Sequence, residues 1–159
     1  MKPEILKQQR PDLGFNLLGI NVNPISHGQI LARMGAWIDA RQNGHTVVAA
    51  NTHVVIESRQ NQALGQAVGA ASLVVPDGMP LVVSARWRGF PHASRADGPG
   101  LMAKALSEEP SRYWRHYFYG STSEVLGLLR VQFPDTNIVG VCAPPFRALT
   151  TAEETHILE

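Results

Sequence analysis

The chain has 159 residues, 44% of them hydrophobic and 17% charged, with a net charge of +1 and one cysteine, Cys142. This length suits one domain, and this composition excludes a disordered chain. The near-zero charge gives no overall basis for nucleic-acid binding, the lone cysteine excludes an internal disulfide and fits a reducing compartment, and no apolar run reaches the length of a bilayer span.

The segment from Met1 to Arg10 lacks an apolar core of signal-peptide length, so residues 1–14 read as a polar leader on a cytoplasmic protein. Phe15 to Val22 reads as a first strand. Ser26 can cap a helix in which Ile30, Leu31, Met34 and Ile38 recur at helical spacing, with Asn43-Gly44 as its end. Thr46 to Ala50 is a short, continuous apolar strand, and Asn51-Thr52 stands at its carboxyl end. Val54, Val55 and Ser58 open the next helix, and Gln60 to Ala70 forms a second helical piece with Leu64, Ala67 and Val68 on one face. Leu73-Val74-Val75 is a buried strand that stops at Pro76-Asp77-Gly78, after which a helix runs from Met79 to Trp87. A polar stretch, Arg88 to Gly100, precedes a helix from Leu101 to Leu106.

His116 to Tyr119 is an aromatic strand ending at Gly120. Ser121 to Glu124 has the form of a capping box for a helix carrying Val125, Leu128, Leu129 and Phe133. Asn137 to Val141 is a further strand, followed by a rigid loop, Ala143 to Phe146. Thr151 to Glu154 again has the capping-box form, yet the chain stops at Glu159, inside the second turn. So short a helix is not stable alone. The end therefore reads as a polypeptide incomplete at its C-terminus.

Short apolar strands alternating with helices predict an α/β, Rossmann-like fold: a mostly parallel sheet with helices on both faces, in a single domain over residues 15–159. In such a sheet ligands bind beyond the carboxyl ends of the strands. Asn51, Asp77 and Gly120-Ser121 all stand at strand ends. Asp77 is placed to act as a general base, taking the proton of a hydroxyl as a new bond forms, although Pro-Asp-Gly is also a common turn. Asn51 can orient a substrate or cap a helix. Arg95, just before a helix start, can hold an anion such as a diphosphate or remain a solvated loop arginine. Ser121 is accounted for by capping.

No Asp-X-Asp pair for a metal–nucleotide complex occurs, and the six histidines lack metal-ligand spacing. Neither a dinucleotide-binding Gly-X-Gly-X-X-Gly nor a phosphate-loop motif is present. Arg86-Trp87-Arg88 and Arg112 to His116 are basic aromatic patches of a kind found at membrane interfaces, and more often surface arginines beside partly buried aromatics.

The order of segments resembles the WecG/TagA/CpsF family of bacterial glycosyltransferases. The resemblance runs from about Leu17 to the last residue and rests on Val47 to Asn51 followed by a helix, Leu73 to Met79, Arg95 to Met102, Tyr117 to Gly120, and Phe133 to Gly140 with Pro144-Pro145-Phe146. It implies metal-independent, cofactor-free and inverting transfer of a sugar, often N-acetylmannosamine, from a UDP-sugar to a polyprenyl-diphosphate-linked acceptor. The product would be a cell-envelope or exopolysaccharide intermediate. Asp77 would be the base, Arg95 would steady the donor diphosphate, and Asn51, Gly78 and Gly120 would bind substrate. The implied partners are these two substrates and the inner face of the membrane, peripherally, with room for a homo-oligomer and no nucleic acid.

There are departures. The family usually has Thr where Ala49 stands, Val where Ala96 stands and Asp where Gly100 stands, and its members continue past Glu159 with further strands and a cationic tail. The missing part predicts an exposed sheet edge and an unfinished site. Two rivals follow: a truncated, non-catalytic remnant acting as a nucleotide-binding or interaction module, and an unrelated Rossmann-like nucleotide-binding enzyme, against which the absent glycine-rich loop counts.

Overall fold

Every residue of strand β4 (Leu73–Pro76) is buried in the computed structural model, which describes residues 14–158. Residues 1–13 of the expected leader lie outside the described residues. The chain divides into two compact units, and the division falls between Met102 and Ala103.

In the first unit, β4 pairs in parallel with β3 (Val47–Ala50), Val47 opposite Leu73 and Ala50 opposite Pro76. Side chains alternate across a strand, and here the two faces of β4 enter different cores. Val74 packs with Val55, Val68, Leu81, Val82 and Ala85. These come from α2 (Thr52–Gln60), α3 (Gln62–Gly69) and α4 (Met79–Trp87). Leu73 and Val75 pack on the other side with Ile25, Ile30 and Ala96, and with Met34, Trp37 and Leu101 at the margin. Ile30, Met34 and Trp37 belong to α1 (His27–Asp39), and Leu101 to α5 (Gly98–Ser107). Helices thus cover both faces of this parallel pair, as the continuous apolar run of β4 predicts.

Phe15 to Val22 is not one strand. It folds back as an antiparallel hairpin, β1 (Phe15–Leu17) and β2 (Ile20–Val22). Leu18 and Gly19 make the turn with φ of +53° and +99°, and the Asn16 side chain accepts from the Gly19 amide at 3.0 Å. A leucine in the left-handed region is rare, so Asn16 and Gly19 alone mark this corner in the sequence. Beyond β2, Asn23 completes the far side of β4: its amide donates to the Val74 carbonyl at 2.6 Å, and its side-chain oxygen accepts from the Val74 amide at 2.9 Å.

Ser26 caps α1 through a full capping box with Gln29. The helix stops at Asp39, short of the expected Asn43-Gly44, and Arg41 and Gly44 both turn at positive φ. Ile38 is exposed. The helix expected from Leu101 begins at Gly98 instead, because Asp97 accepts from the Gly100 amide at 2.9 Å and its carbonyl accepts from Leu101. The polar stretch is therefore shorter by one helical turn than its composition suggests.

In the second unit, β5 (His116–Tyr119) pairs in parallel with β6 (Ile138–Cys142), with a register shift between His116 and Tyr117. A β-carbon on Gly140 would lie 2.5 Å from the Tyr117 ring, so only glycine admits that ring there. The cap of α6 (Ser123–Gln132) is Thr122, one residue later than expected, and accepts from the Val125 amide. Ser121 instead adopts φ +62°. Leu126 is the buried residue of α6, whereas Val125 and Leu128 are exposed. Apolar residues occur on several faces of this helix, so spacing alone selects none. α7 (Thr151–Leu158) is instead capped one residue earlier than expected, by Thr150, whose amide and hydroxyl both bond the Glu153 carboxylate.

Candidate functional site

The parallel register carries the chain out of the sheet side by side at the ends of β3 and β4. Asn51 follows Ala50 and Asp77 follows Pro76, and the Asp77 amide extends the ladder by donating to the Ala50 carbonyl at 2.9 Å. Asn51 caps α2, its side-chain oxygen accepting from the Val54 amide at 3.0 Å. The group is exposed, and the cap leaves its amide nitrogen uncommitted to the helix. Gly78 caps α4 with no side chain, and Pro80 stands in the first turn. A β-carbon on Gly78 would come 3.6 Å from that of Asn51, so the two turns lie in near contact.

Arg95 reaches this corner from the loop before α5. Its Nε donates to the Asp77 carbonyl at 2.5 Å, and its Nη2 donates to Asp77 Oδ1 at 3.0 Å. The Asp77 side chain is 22% exposed and that of Arg95 55%, so the pair opens to solvent mainly on the guanidinium side. The next residue, Ala96, is buried, and its amide donates to the Pro76 carbonyl at 2.8 Å. One loop therefore runs along the end of β4 and fixes the arginine over the carboxylate.

Asp97 follows. The Gly100 amide bonded to its carboxylate holds it below the usual carboxylate range; partial burial opposes this, and the charges of Arg95 and His27 reinforce it. His27, the first residue of α1, places Nε2 3.0 Å from the Asp97 carbonyl. A carbonyl only accepts, so Nε2 carries the proton. A β-carbon on Gly100 would stand 2.9 Å from His27 Cε1 and 3.1 Å from the Asp97 carboxylate oxygens. The space in which the resemblance implies an Asp side chain is occupied by these two residues. Nothing in the spacing of His27, 70 residues before Asp97, signals this contact.

Asn51, Asp77, Gly78 and Arg95 are thus brought together. Gly120 belongs to the second unit, where it leaves β5 at φ +123° with its amide donating to the Cys142 carbonyl at 2.8 Å. The basic aromatic patches divide. Arg86 donates twice to the Ala93 carbonyl, and Arg88 lies over the Phe15 ring. Trp87 between them is 85% exposed, not partly buried as expected. An open pocket of about 540 Å³ lies by Val47 at the start of β3, lined by Met34, Trp37, His45 and Leu101, and none of the candidate residues borders it. Among the described residues no helix is long and apolar enough to cross a membrane, and no group of three or more His, Cys, Asp or Glu side chains is gathered as for a metal ion.

The pattern of the glycosyl transferase WecG/TagA/CpsF family matches residues 15–159. The chain belongs to this family. The WecG/TagA/CpsF match begins at the first residue of β1 and takes in every element described above. A relative from Bacillus spizizenii, N-acetylglucosaminyldiphosphoundecaprenol N-acetyl-beta-D-mannosaminyltransferase, is 29% identical over 104 residues, which make up 63% of this chain. The same stretch spans 40% of that relative's length.

Proposed function

We propose that this chain, as a glycosyltransferase domain over residues 15–159, transfers an N-acetylmannosamine-type or other hexose from a UDP-sugar to a polyprenyl-diphosphate-linked acceptor. The reaction is metal-independent and inverting, and it takes place in the cytoplasm, peripherally at the inner face of the membrane. The observation that carries the proposal is the Asp77–Arg95 pair at the carboxyl ends of two parallel strands. Family membership and the name of the Bacillus relative support the acceptor class.

In this reading the acceptor hydroxyl attacks the anomeric carbon from the face opposite the nucleotide. As the new C–O bond forms, the hydroxyl proton passes to the Asp77 carboxylate, and the bond from the anomeric carbon to the diphosphate breaks with its electron pair retained by UDP. Arg95 meets the charge that develops on the departing diphosphate, where a planar guanidinium matches phosphate oxygens. The amide nitrogen of Asn51 orients the substrate, and the bare backbone of Gly78 admits it closely.

The test is release of UDP from UDP-N-acetylmannosamine in the presence of a polyprenyl-diphosphate-linked N-acetylglucosamine acceptor. Asp77→Asn should lower turnover by about 10²- to 10⁴-fold, the usual contribution of a positioned base, and leave UDP binding in place. Turnover unaffected by this substitution would end the assignment of Asp77.

A further inference from the structure

Three consecutive residues, Arg95, Ala96 and Asp97, are each tied to a different part of the first unit. Arg95 grips Asp77 and Ala96 extends the end of β4. Asp97 is held at its carbonyl by His27 and at its carboxylate by the Gly100 amide. The His27 side chain is 16% exposed. It therefore joins the first turn of α1 to the loop carrying the arginine. A guanidinium can be aimed at one point only if the backbone that carries its side chain is itself held in place. Ala96 fixes one neighbour of Arg95, and His27 fixes the residue after it.

We infer that His27 is a positioning residue for Arg95, acting through the Asp97 carbonyl, and that residue 100 must be glycine to leave the imidazole its place. The second half follows from distance. An added β-carbon 2.9 Å from His27 Cε1 is closer than real carbons approach, and the movable partner is the ring. Alanine at this position would push His27 off the Asp97 carbonyl. Alanine is also the better helix former, so in the first turn of α5 its only adverse effect comes from this contact and the two carboxylate oxygens beside it. Neither residue touches the reacting atoms. The role given to Arg95 rests on the reading in the preceding subsection.

Equilibrium titration with UDP tests the inference on the intact chain, with Arg95→Ala as the reference. His27→Ala should weaken UDP by about three- to tenfold, the range of one lost hydrogen bond. His27→Gln, whose amide can donate to the same carbonyl, should return affinity to within about twofold of the parent. Gly100→Ala should weaken UDP as His27→Ala does. Added to His27→Ala it should weaken UDP by less than it does in the parent, because the ring it displaces is already gone and only the contact with the Asp97 carboxylate is left. A merely structural histidine would lower the melting temperature in both backgrounds and leave UDP affinity alone. If Arg95→Ala weakens UDP and neither His27→Ala nor Gly100→Ala does, the positioning role is wrong and the site stands. If Arg95→Ala itself leaves UDP affinity unchanged, the diphosphate role of the arginine falls and the role of His27 falls with it. Gly100→Ala keeps His27 in the chain, so it decides the question even if His27→Ala folds poorly.

Discussion

Arg95 holds Asp77 at two points, its backbone carbonyl and its carboxylate, across 18 residues of sequence. The carbonyl contact fixes where the guanidinium sits, and the carboxylate contact balances its charge. On the proposed reading, a diphosphate entering this corner would compete for the same donors and release Asp77 Oδ1.

The pair is solvent-open, so it adds little to stability: exposed ion pairs contribute about 0–1 kcal/mol. Arg95→Ala should shift thermal unfolding by no more than this while weakening UDP by about tenfold or more, as expected for lost charge-assisted bonds. Arg95→Lys keeps the charge and loses the fork, so it should fall between the two. Melting curves and UDP titrations on the same three proteins check both halves.

Asn51 has two uses, and they separate by substitution. Asn51→Ala removes the cap of α2 and should destabilise the chain by about 1 kcal/mol. Asn51→Ser keeps a capping oxygen and should restore stability, yet it lacks the amide nitrogen. Turnover that stays low in Asn51→Ser identifies the amide as a substrate contact; turnover that returns with stability makes Asn51 a cap alone.

Asn23 is buried and replaces a strand partner for Val74 at both hydrogen-bonding positions. Asn23→Ala should cost about 1–3 kcal/mol, because the Val74 amide is then left without its acceptor inside the core. Denaturant unfolding should show a lower midpoint, with the far-ultraviolet spectrum of the folded state unchanged.

Acid should loosen two capped turns. Asp97 lies below its ordinary value of 3.8, and Glu153 lies at about 2 against 4.5, held there chiefly by Arg147 and then by the Thr150 amide and hydroxyl. Both folded values are depressed, so the unfolded chain takes up the protons first. The stability from Glu153 is full above 4.5 and is lost as pH falls from there toward about 2; that from Asp97 is lost as pH falls through and below 3.8. Melting temperatures measured across this acid range should fall for the parent chain. Glu153→Gln and Asp97→Asn, which do not titrate, should each flatten part of that decline, and a decline of unaltered steepness in both would contradict these assignments.

Much of the framework was legible in the residues. The run Leu73-Val74-Val75 reads as a strand buried on both faces because no polar residue interrupts it, and the structure places its two faces in two cores. Asn51 and Ser26 read as caps because their oxygens serve amides three residues ahead, a distance the chain itself fixes. The hairpin at Leu18-Gly19 was not legible, since leucine seldom turns at positive φ. The cap at Asp97 hid in a loop of turn residues, although Asp-Gly-Pro before an apolar run was a signal that could have found it.

Sequence alone determined the local periods, the caps and the placing of an acid and an asparagine at strand ends, because these depend on neighbours within about one helical turn. Only the tertiary structure decided that Arg95 lies over Asp77, that Asn23 completes β4, and that His27 reaches Asp97. These contacts join residues 18, 51 and 70 positions apart. They exist because the buried faces of β4 draw α1, β2 and the Arg95 loop onto one strand, and no local preference of those residues specifies that approach.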